Sequence, residues 1–216
     1  MKKVGVMIPT YKRPDLLRRA VLQWIVQTRK PDILCIHQNG SDESYEWVIN
    51  DLKDLIPIKW IHVPKDLPQN MWYYIPLTQL IQEGCDVFLW ADHDDIFYSN
   101  HVKTVMDNLE GYDITVSDTC GILYVKDKAY KYSKPAKFNV NPTGGIASSI
   151  AFTRKFAMDL QLDLIKDKER NAADNVLAFE TMPKNQVRIT SNSTTVYVSH
   201  AGTVSTSSWP DNFVKE

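Results

Sequence analysis

Apolar runs and amphipathic segments alternate along the first half of the chain. Four short runs, rich in β-branched and other apolar residues, predict buried strands at residues 3–9, 32–38, 58–63 and 86–91. Between them, apolar residues recur at helical spacing and predict helices over 15–25, 44–56 and 70–83, the last interrupted near Pro76. Strands that alternate with helices predict an α/β fold, in which a mostly parallel sheet carries helices on both faces.

The second half of the sequence has a less regular pattern. Alternating and apolar runs predict strands at 113–118, 146–152 and 194–200, and a hairpin over 121–133 with its turn near Asp127. Helical patterns cover residues 153–165 and 173–182. We therefore expect an α/β half followed by a mixed half within a single domain of 216 residues, which is long enough to bury a core.

Composition narrows the range of partners. With 25 Lys and Arg against 26 Asp and Glu, the net charge is -1, so no global positive field is available to hold nucleic acid. No apolar run is long enough for a signal peptide or a membrane span, and we expect a soluble, cytoplasmic protein. Cys35, Cys85 and Cys120 are odd in number and lie in apolar surroundings, which is typical of reduced core thiols.

Polar residues follow each of the four strands predicted in the first half. In an open parallel sheet, ligands bind outside the carboxyl ends of the strands, where the loops gather. This rule places four segments along one edge of the sheet, at residues 9–11, 38–41, 63–65 and 92–95. We call this edge the strand-end rim and expect it to hold any ligand site.

The fourth of these segments is Asp92-His93-Asp94-Asp95, here called the acidic motif. Three carboxylates within four residues repel one another unless a cation or hydrogen-bond donors neutralise them. Hard oxygen ligands favour Mg²⁺ or Mn²⁺, which bind one or two carboxylates together with substrate phosphates. The alternative is an acidic loop that faces solvent or caps a helix. The immediate return to apolar Ile96 and Phe97 disfavours an exposed loop.

Three segments together carry a resemblance to a known family. Residues 4–28, 37–44 and 89–102 resemble, in order and spacing, three motifs of the family 2 glycosyltransferases: the opening strand, loop and helix, the Asp-Asp-Gly-Ser turn, and the Asp-x-Asp-Asp signature. The close similarity covers about residues 3–110. It implies the Rossmann-like GT-A fold, with a nucleotide-binding half at 1–110 and an acceptor-side half at 111–216.

The resemblance also implies an activity. Family 2 enzymes move a sugar from a nucleotide-sugar donor to an acceptor hydroxyl and invert the anomeric carbon. For this chain, the resemblance implies a metal-dependent transferase of the hexosyltransferase type, with Mn²⁺ or Mg²⁺ as the cofactor. It favours a UDP-linked donor and a glycan or glycoprotein acceptor.

The resemblance assigns the donor site to the strand-end rim. It implies that Pro9, Thr10 and Tyr11 hold the nucleobase, with the Tyr11 ring as a stacking face, and that Arg13 reaches a phosphate or the ribose. The alternative is that Tyr11 only covers the sheet edge and contacts no ligand. Lys65 stands near the place of a basic residue of the family, although a surface lysine fits the same pattern.

Asn39 departs from the family pattern. At this position the family commonly has an aspartate that pairs with the uracil ring. An amide offers both a donor and an acceptor, so it can still pair with uracil, but it leaves the identity of the base open.

Within the acidic motif, the resemblance implies separate roles. Asp92 binds the ribose hydroxyls, while Asp94 and Asp95 face the metal, directly or through water. His93 is grouped with the donor site as a hydrogen-bonding neighbour that points away or toward the acceptor. Near the C-terminus, His200 resembles a strand-end histidine that completes the metal site; a histidine that merely ends an exposed strand is the alternative.

Asp174 is the candidate catalytic base. In the family, an aspartate at the start of a helix takes the proton of the acceptor hydroxyl, often as the second residue of a Glu-Asp pair. Asp174 stands at such a place, but Ala173 occupies the position of the glutamate. Asp174 also fits a helix N-cap, a role that does not exclude catalysis.

Two functions from other classes remain open. A metal-dependent phosphohydrolase would use the acidic motif, but His37, His62 and His101 lack the spacing of a metal cluster. A non-catalytic module that only binds a nucleotide sugar is compatible with the departures at Asn39 and Ala173. Release of nucleoside diphosphate that depends on an acceptor, and that disappears when Asp174 is replaced, separates the enzyme from such a module.

Overall fold

The computed structural model describes residues 1–117, 121–126, 129–133, 149–166, 168–169, 173 and 176–200. For 121–126, 129–133, 197 and 199–200 it describes the main chain only. The elements of the first half are β1 (Val4–Tyr11), α1 (Pro14–Ile25), β2 (Ile33–Asn39), a 3-10 helix (Glu46–Leu52), β3 (Ile58–Val63), α2 (Gln69–Gln82) and β4 (Val87–Trp90). The four strands and two of the three helices follow the sequence prediction closely.

The elements of the second half are shorter and more mixed. They are β5 (Ile96–Phe97), α3 (His101–Asn108), β6 (Ile114–Ser117), β7 (Gly121–Lys126), β8 (Ala129–Ser133), β9 (Ile150–Thr153), α4 (Arg154–Lys166), a π-helix (Val176–Thr181), a 3-10 helix (Met182–Lys184), β10 (Val187–Thr190) and β11 (Thr195–His200). The hairpin predicted over 121–133 is confirmed as β7 and β8, which pair antiparallel. β5, α3 and β10 were not predicted.

Seven strands form the central sheet, in the order β10-β6-β9-β4-β1-β2-β3. β1 pairs in parallel with β2 and β4, and β2 pairs in parallel with β3. β9 runs antiparallel to both of its neighbours, β4 and β6. The prediction of a mostly parallel sheet is therefore confirmed. A second, four-stranded sheet in the order β5-β11-β7-β8 was not predicted.

The core lies on both faces of the central sheet. Alternate residues of the strands point to opposite faces, so that Met7 and Cys35 join a cluster beneath α2 and α4, while Val6 and Ile36 join a cluster beneath α1 and α3. α1 begins with Pro14 in its first turn and buries Trp24 on the second of these faces. The helices therefore cover a sheet that is buried on both sides, as expected of parallel strands.

Helix α2 runs through Pro76 without the predicted interruption. Proline has no N–H to donate to the carbonyl four residues earlier, which here belongs to Trp72. That carbonyl instead accepts a hydrogen bond from Nδ1 of His37, at 3.1 Å. A side chain on β2 thus replaces the missing helix bond, and the helix continues.

Two other helix predictions were wrong in type or length. The segment predicted as a helix over 44–56 forms a 3-10 helix only over Glu46–Leu52, which buries Val48, Ile49 and Leu52. Of the helix predicted over 173–182, the described part is the π-helix followed by a 3-10 turn that begins at Met182. The turn predicted near Asp127 and the start of the strand predicted at 146 lie outside the described residues.

Two histidines are buried in the core. His37 and His101 are 0% and 1% exposed. Burial lowers the pKa of His37 to about 4, although its bond to Trp72 works in the opposite direction, and burial lowers the pKa of His101 to about 3. Both side chains are therefore neutral in the folded protein at neutral pH.

Acid is expected to destabilise the fold through these histidines. The unfolded chain binds a proton at each histidine near pH 6.5, but the folded chain does not until about pH 4 or below, so the free energy of unfolding falls through that window. The slope is about 1.4 kcal/mol per pH unit for each histidine. His101→Gln should therefore lose less stability than the unmodified protein between about pH 7 and about pH 5 in urea unfolding. His62→Gln, at a half-buried histidine, is the control. If the free energy of unfolding falls as much on acidification in His101→Gln as in the unmodified protein, the prediction is contradicted.

Candidate functional site

The strand-end rim is formed as the sequence predicts. β1, β2, β3 and β4 are parallel, so their carboxyl ends lie along one edge of the central sheet. Tyr11 at the end of β1 is the register partner of Asn39 at the end of β2, and Asn39 is in turn the partner of Val63 on β3. The acidic motif follows β4, the neighbour of β1 on its other side.

The acidic motif forms a turn directly above β4. The N–H of Asp95 donates to the carbonyl of Asp92 at 3.4 Å. The Tyr73 hydroxyl, from α2, donates to Oδ1 of Asp92 at 3.0 Å, and Nδ1 of His93 donates to the carbonyl of Pro9 at 3.2 Å. These bonds hold the turn against both α2 and β1. Asp92, His93 and Asp94 are half-buried, which leaves the turn at the surface of the rim.

Asp95 is different because it is fully buried. Its Oδ1 accepts a hydrogen bond from the backbone N–H of Val198 on β11, at 3.0 Å. This bond joins the acidic motif to the second sheet. The predicted metal ligand Asp95 therefore also has a structural role that the sequence did not indicate.

A row of polar residues on α1 holds the main chain that follows the acidic motif. Arg19 and Gln23 share one face of α1, and Gln27 follows just after the helix ends; these three residues, spaced four positions apart, are here called the α1 polar row. Arg19 donates to the carbonyl of Asp94, and Nε2 of Gln23 donates to the carbonyl of Asp95 at 3.1 Å.

The row continues along the segment that leads into α3. Oε1 of Gln23 accepts from the N–H of Phe97 at 2.8 Å. Gln27 donates to the carbonyl of Tyr98 at 2.8 Å and accepts from the N–H of Val102 at 3.1 Å. Because these side chains bond to main-chain groups between Asp94 and Val102, they hold the path of the chain from the acidic motif to α3.

Aromatic side chains build the other end of the site. The rings of Tyr11 and Trp72 are stacked, with centroids 5.6 Å apart and planes inclined by 14°. The Tyr11 hydroxyl donates to Asp66 at 3.2 Å. Gly40 lies directly beneath both groups with φ of +67°, and a Cβ there would collide with Tyr11 and Asp66. Only glycine fits this position, for both reasons.

Asn39 lies beside these aromatic rings and is 1% exposed. Its Oδ1 accepts a hydrogen bond from the N–H of Leu67 at 3.2 Å. Its Nδ2 is buried without a hydrogen-bond partner among the described residues. Among the described residues, the amide is therefore satisfied on one side only.

The remaining predicted site residues lie in varied surroundings. Thr10 is buried, and its hydroxyl has no hydrogen-bond partner among the described residues. Arg13 directly precedes α1 and is half-buried, whereas Lys65 is exposed. The main chain of His200 ends β11 and pairs with Val125 of β7, but its side chain lies outside the described part of the chain. Asp174 lies outside the described residues altogether.

The three histidines outside the acidic motif whose side chains are described do not gather into a cluster. His37 bonds to the carbonyl of Trp72, His62 to the carbonyl of Ser41 at 2.6 Å, and His101 to the hydroxyl of Thr194 at 2.7 Å. Within the described ranges, no three His, Cys, Asp or Glu side chains form a group that could hold a metal. The histidine-rich cluster of a phosphohydrolase is thus not found in the part of the chain that the structure describes.

Two of the three cysteines are core thiols, as predicted. Cys35 and Cys85 are free and fully buried, and burial raises their pKa values to about 12 and about 11. Both thiols therefore remain protonated and unreactive at neutral pH. Cys120 lies outside the described residues. None of the helices described is long and apolar enough to cross a bilayer.

Several residues at the site were missed by reasoning from sequence. Trp72 and Tyr73 are consecutive in α2, and one contacts the aromatic end of the site while the other contacts the acidic motif. Asp66 and Gly40 complete the aromatic end. Gly40 lies in segment 38–41, which was predicted to line the strand-end rim, but its close approach to Tyr11 and Asp66 was not predicted. No sequence pattern indicated the role of the α1 polar row, because polar residues at helical spacing usually face solvent.

No protein-family model and no curated protein matches the chain. Solved structures with a similar fold include Staphylococcus aureus (S. aureus) TarS residues 1–349 in complex with UDP, with a TM-score of 0.68 at 11% identity, and in complex with UDP-GlcNAc, with a TM-score of 0.68 at 12% identity. The matches cover 91% and 96% of this chain, and 60% and 62% of the TarS chains. The structure of S. aureus TarS matches 91% of this chain and 37% of its own, with a TM-score of 0.64 at 11% identity.

The chain therefore spans about three fifths of the length of TarS 1–349. The sequence also carries a looser resemblance to the N-terminal glycosyltransferase domain of a larger chlorella-virus protein implicated in capsid glycosylation, but none of these structures supports that link. At 11% to 12% identity, the likeness to TarS is one of fold. Together with the seven-stranded, mostly parallel sheet between layers of helices, it identifies the fold of this chain as the GT-A fold.

Proposed function

We propose that the chain is a metal-dependent, inverting glycosyltransferase of the hexosyltransferase type, which moves a sugar from a nucleotide-sugar donor to a hydroxyl of a glycan or glycoprotein. The observation that carries the proposal is the strand-end rim of a GT-A fold, where an aromatic face at Tyr11 and the acidic motif stand at neighbouring strand ends. A UDP-linked sugar is the proposed donor, because TarS structures of similar fold contain UDP and UDP-GlcNAc.

The spacing of the rim supports this assignment. Asn39 ends β2 and Asp92 follows β4, with β1 between these two strands. Neighbouring strands lie about 4.8 Å apart, so roughly 10 Å of rim separates Asn39 from Asp92, with Tyr11 on the strand between them. A nucleoside diphosphate that lies along this edge brings its base to Tyr11 and its ribose and phosphates to the acidic motif. Arg13 and Lys65 are proposed to meet the phosphates or ribose.

The carboxylates of the acidic motif fit Mn²⁺ or Mg²⁺, because both ions prefer hard oxygen ligands. Asp94 is the ligand that we propose first, because its side chain lies at the surface of the strand-end rim, whereas Asp95 is fully buried. Asp95 and His200 are proposed as further ligands. When bound, the ion would stabilise the negative charge of the departing diphosphate.

Asp174 is proposed as the base that takes the proton of the acceptor hydroxyl. The described chain on both sides of it is firmly packed, since Ala173 is fully buried and the π-helix is joined to α4 through Asp163. Asp163 accepts from the Thr181 hydroxyl at 2.9 Å and from Nζ of Lys184 at 2.7 Å. Burial opposes ionisation of Asp163, but the bonds from Lys184, Lys166 and Thr181 together outweigh it and keep the pKa of this carboxyl below its ordinary value.

Calorimetric titration with UDP and with GDP, each with and without Mn²⁺, tests the proposal. We expect UDP to bind tightly only when the metal is present. Transfer is then tested by release of nucleoside diphosphate from UDP-sugars over a panel of glycan acceptors. Absence of metal-dependent binding for both nucleotides would overturn the glycosyltransferase assignment. Binding without acceptor-dependent release would favour the non-catalytic module.

A further inference from the structure

The side chain of Asn39 is oriented by its surroundings. The N–H of Leu67 can only donate, so the atom that faces it at 3.2 Å must be the amide oxygen of Asn39. The amide nitrogen consequently points elsewhere, and it has no hydrogen-bond partner among the described residues. A donor that is buried and unsatisfied is rare in native proteins, because it has lost its bonds to water. This nitrogen is therefore a candidate contact for a ligand.

The position of Asn39 indicates which part of a ligand it meets. Asn39 and Tyr11 are register partners on β2 and β1, so their side chains leave the same face of the sheet. A planar base that stacks on the Tyr11 ring therefore presents its edge to Asn39. The second ring of the site, that of Trp72, now occupies the stacking face of Tyr11, and a base would take its place there.

The groups that cover Asn39 can move aside. Asp66 is exposed, and its bond from the Tyr11 hydroxyl is long, at 3.2 Å. Gly40 beneath them has no side chain that would restrict their movement. Entry of a base thus displaces the exposed contact between Tyr11 and Asp66 and also the ring of Trp72, whose indole N–H donates to the carbonyl of Leu67 at 2.7 Å. The bond that orients the Asn39 amide stays in place.

We propose that Nδ2 of Asn39 donates a hydrogen bond to the nucleobase, and that the site therefore binds cytidine diphosphate at least as tightly as uridine diphosphate. The proposal rests on the nucleotide-sugar function proposed above and widens its donor class to cytidine nucleotides. It concerns the base alone and leaves the roles of the acidic motif unchanged.

Cytosine and uracil differ in the hydrogen bonds that they can form with a protein N–H. At ring position N3, cytosine has an acceptor and uracil has an N–H donor. A protein N–H that meets this position donates a hydrogen bond to cytosine. In uracil it faces another donor, so it can bond only to a carbonyl oxygen of the base. A carboxylate in place of the amide reverses the preference, because it accepts from the uracil N–H and repels the cytosine nitrogen.

Asn39→Asp is the decisive variant. One carboxylate oxygen can keep the bond from Leu67, so the fold is retained, while the other becomes an acceptor facing the base. We expect the ratio of UDP to CDP affinity, measured by calorimetry with Mn²⁺, to rise by at least about tenfold over that of the unmodified protein. Asn50→Asp, which makes the same change at an exposed residue, is the matched control and should leave the ratio unaltered.

The outcomes separate this inference from the function on which it rests. CDP binding equal to or tighter than UDP binding in the unmodified protein, with the reversal in Asn39→Asp, supports the inference. UDP binding tighter than CDP binding in the unmodified protein, or an unchanged ratio in Asn39→Asp, overturns it and leaves the glycosyltransferase proposal intact. Absence of binding for UDP, CDP and GDP overturns both. Thermal unfolding of each variant verifies that the changes act on binding and not on folding.

Discussion

Asp94→Ala is expected to abolish metal-dependent UDP binding. The change removes the carboxylate that we propose as the first metal ligand, and without the ion the diphosphate charge faces the carboxylates that remain in the acidic motif. Changes beside metal ligands cost about 10- to 100-fold in affinity, so loss of a ligand should cost at least about 100-fold. Calorimetric titration of UDP with and without Mn²⁺ measures the effect, and the two titrations should become indistinguishable in the variant.

The fold should survive this change. The side chain of Asp94 is half-buried, and its contact with Arg19 is made by the backbone carbonyl, which alanine retains. Asp107→Ala is the control: it removes an exposed carboxylate on α3 that pairs with Lys103, a kind of contact worth little in water. This control should bind UDP and Mn²⁺ normally. Normal sugar transfer by Asp94→Ala would show that the central assignment of the acidic motif is wrong.

Asp174→Asn is expected to bind the donor normally and to lose transfer. Asparagine has nearly the shape of aspartate but cannot take the proton of the attacking hydroxyl, so the barrier rises while the donor contacts persist. General base catalysis contributes typically about 10²- to 10⁴-fold, and we expect kcat to fall within this range. Release of nucleoside diphosphate in the presence of acceptor measures kcat, and calorimetry measures the affinity for UDP with Mn²⁺.

The combination of the two measurements is the test. A variant that loses transfer and donor binding together would place Asp174 in the donor site or in folding, against its role as the base. A variant that transfers sugar at the normal rate would indicate that Asp174 is only a helix cap. Asp107→Asn provides the matched control on α3, because it makes the same change at an exposed carboxylate.

The sequence predicts the first half of the fold because each residue pattern there has a local cause. Buried parallel strands have to be apolar on both faces, and the runs that end at Pro9, Gln38 and Ala91 show this directly. The acidic motif is conspicuous for the same reason, since Asp92 follows such a run without any transition. The position of the strand-end rim then follows from the parallel arrangement.

The parts that were missed depend on contacts between distant segments. Pro76 was expected to interrupt α2, but the bond that replaces its missing N–H comes from His37, which lies on β2. The residues of the α1 polar row resemble a solvent-facing surface, yet Gln23 bonds to a carbonyl 72 residues away. β5 has only two residues, too few for a recognisable pattern. The second sheet was missed because it depends on the pairing of β7 with β11, two predicted strands that lie far apart in sequence.

The bond between Asp95 and Val198 has a consequence for the order in which the protein assembles. It joins two residues that are 103 positions apart along the chain. During synthesis, β1 to β4 and α1 leave the ribosome long before β11, so the acidic motif can form its turn while Asp95 still lacks the amide of Val198. The motif acquires its final geometry only when this late, long-range contact closes, and such contacts are slow to form. A nascent chain released before residue 198 would carry a buried carboxylate without this donor, so the site matures at the end of folding.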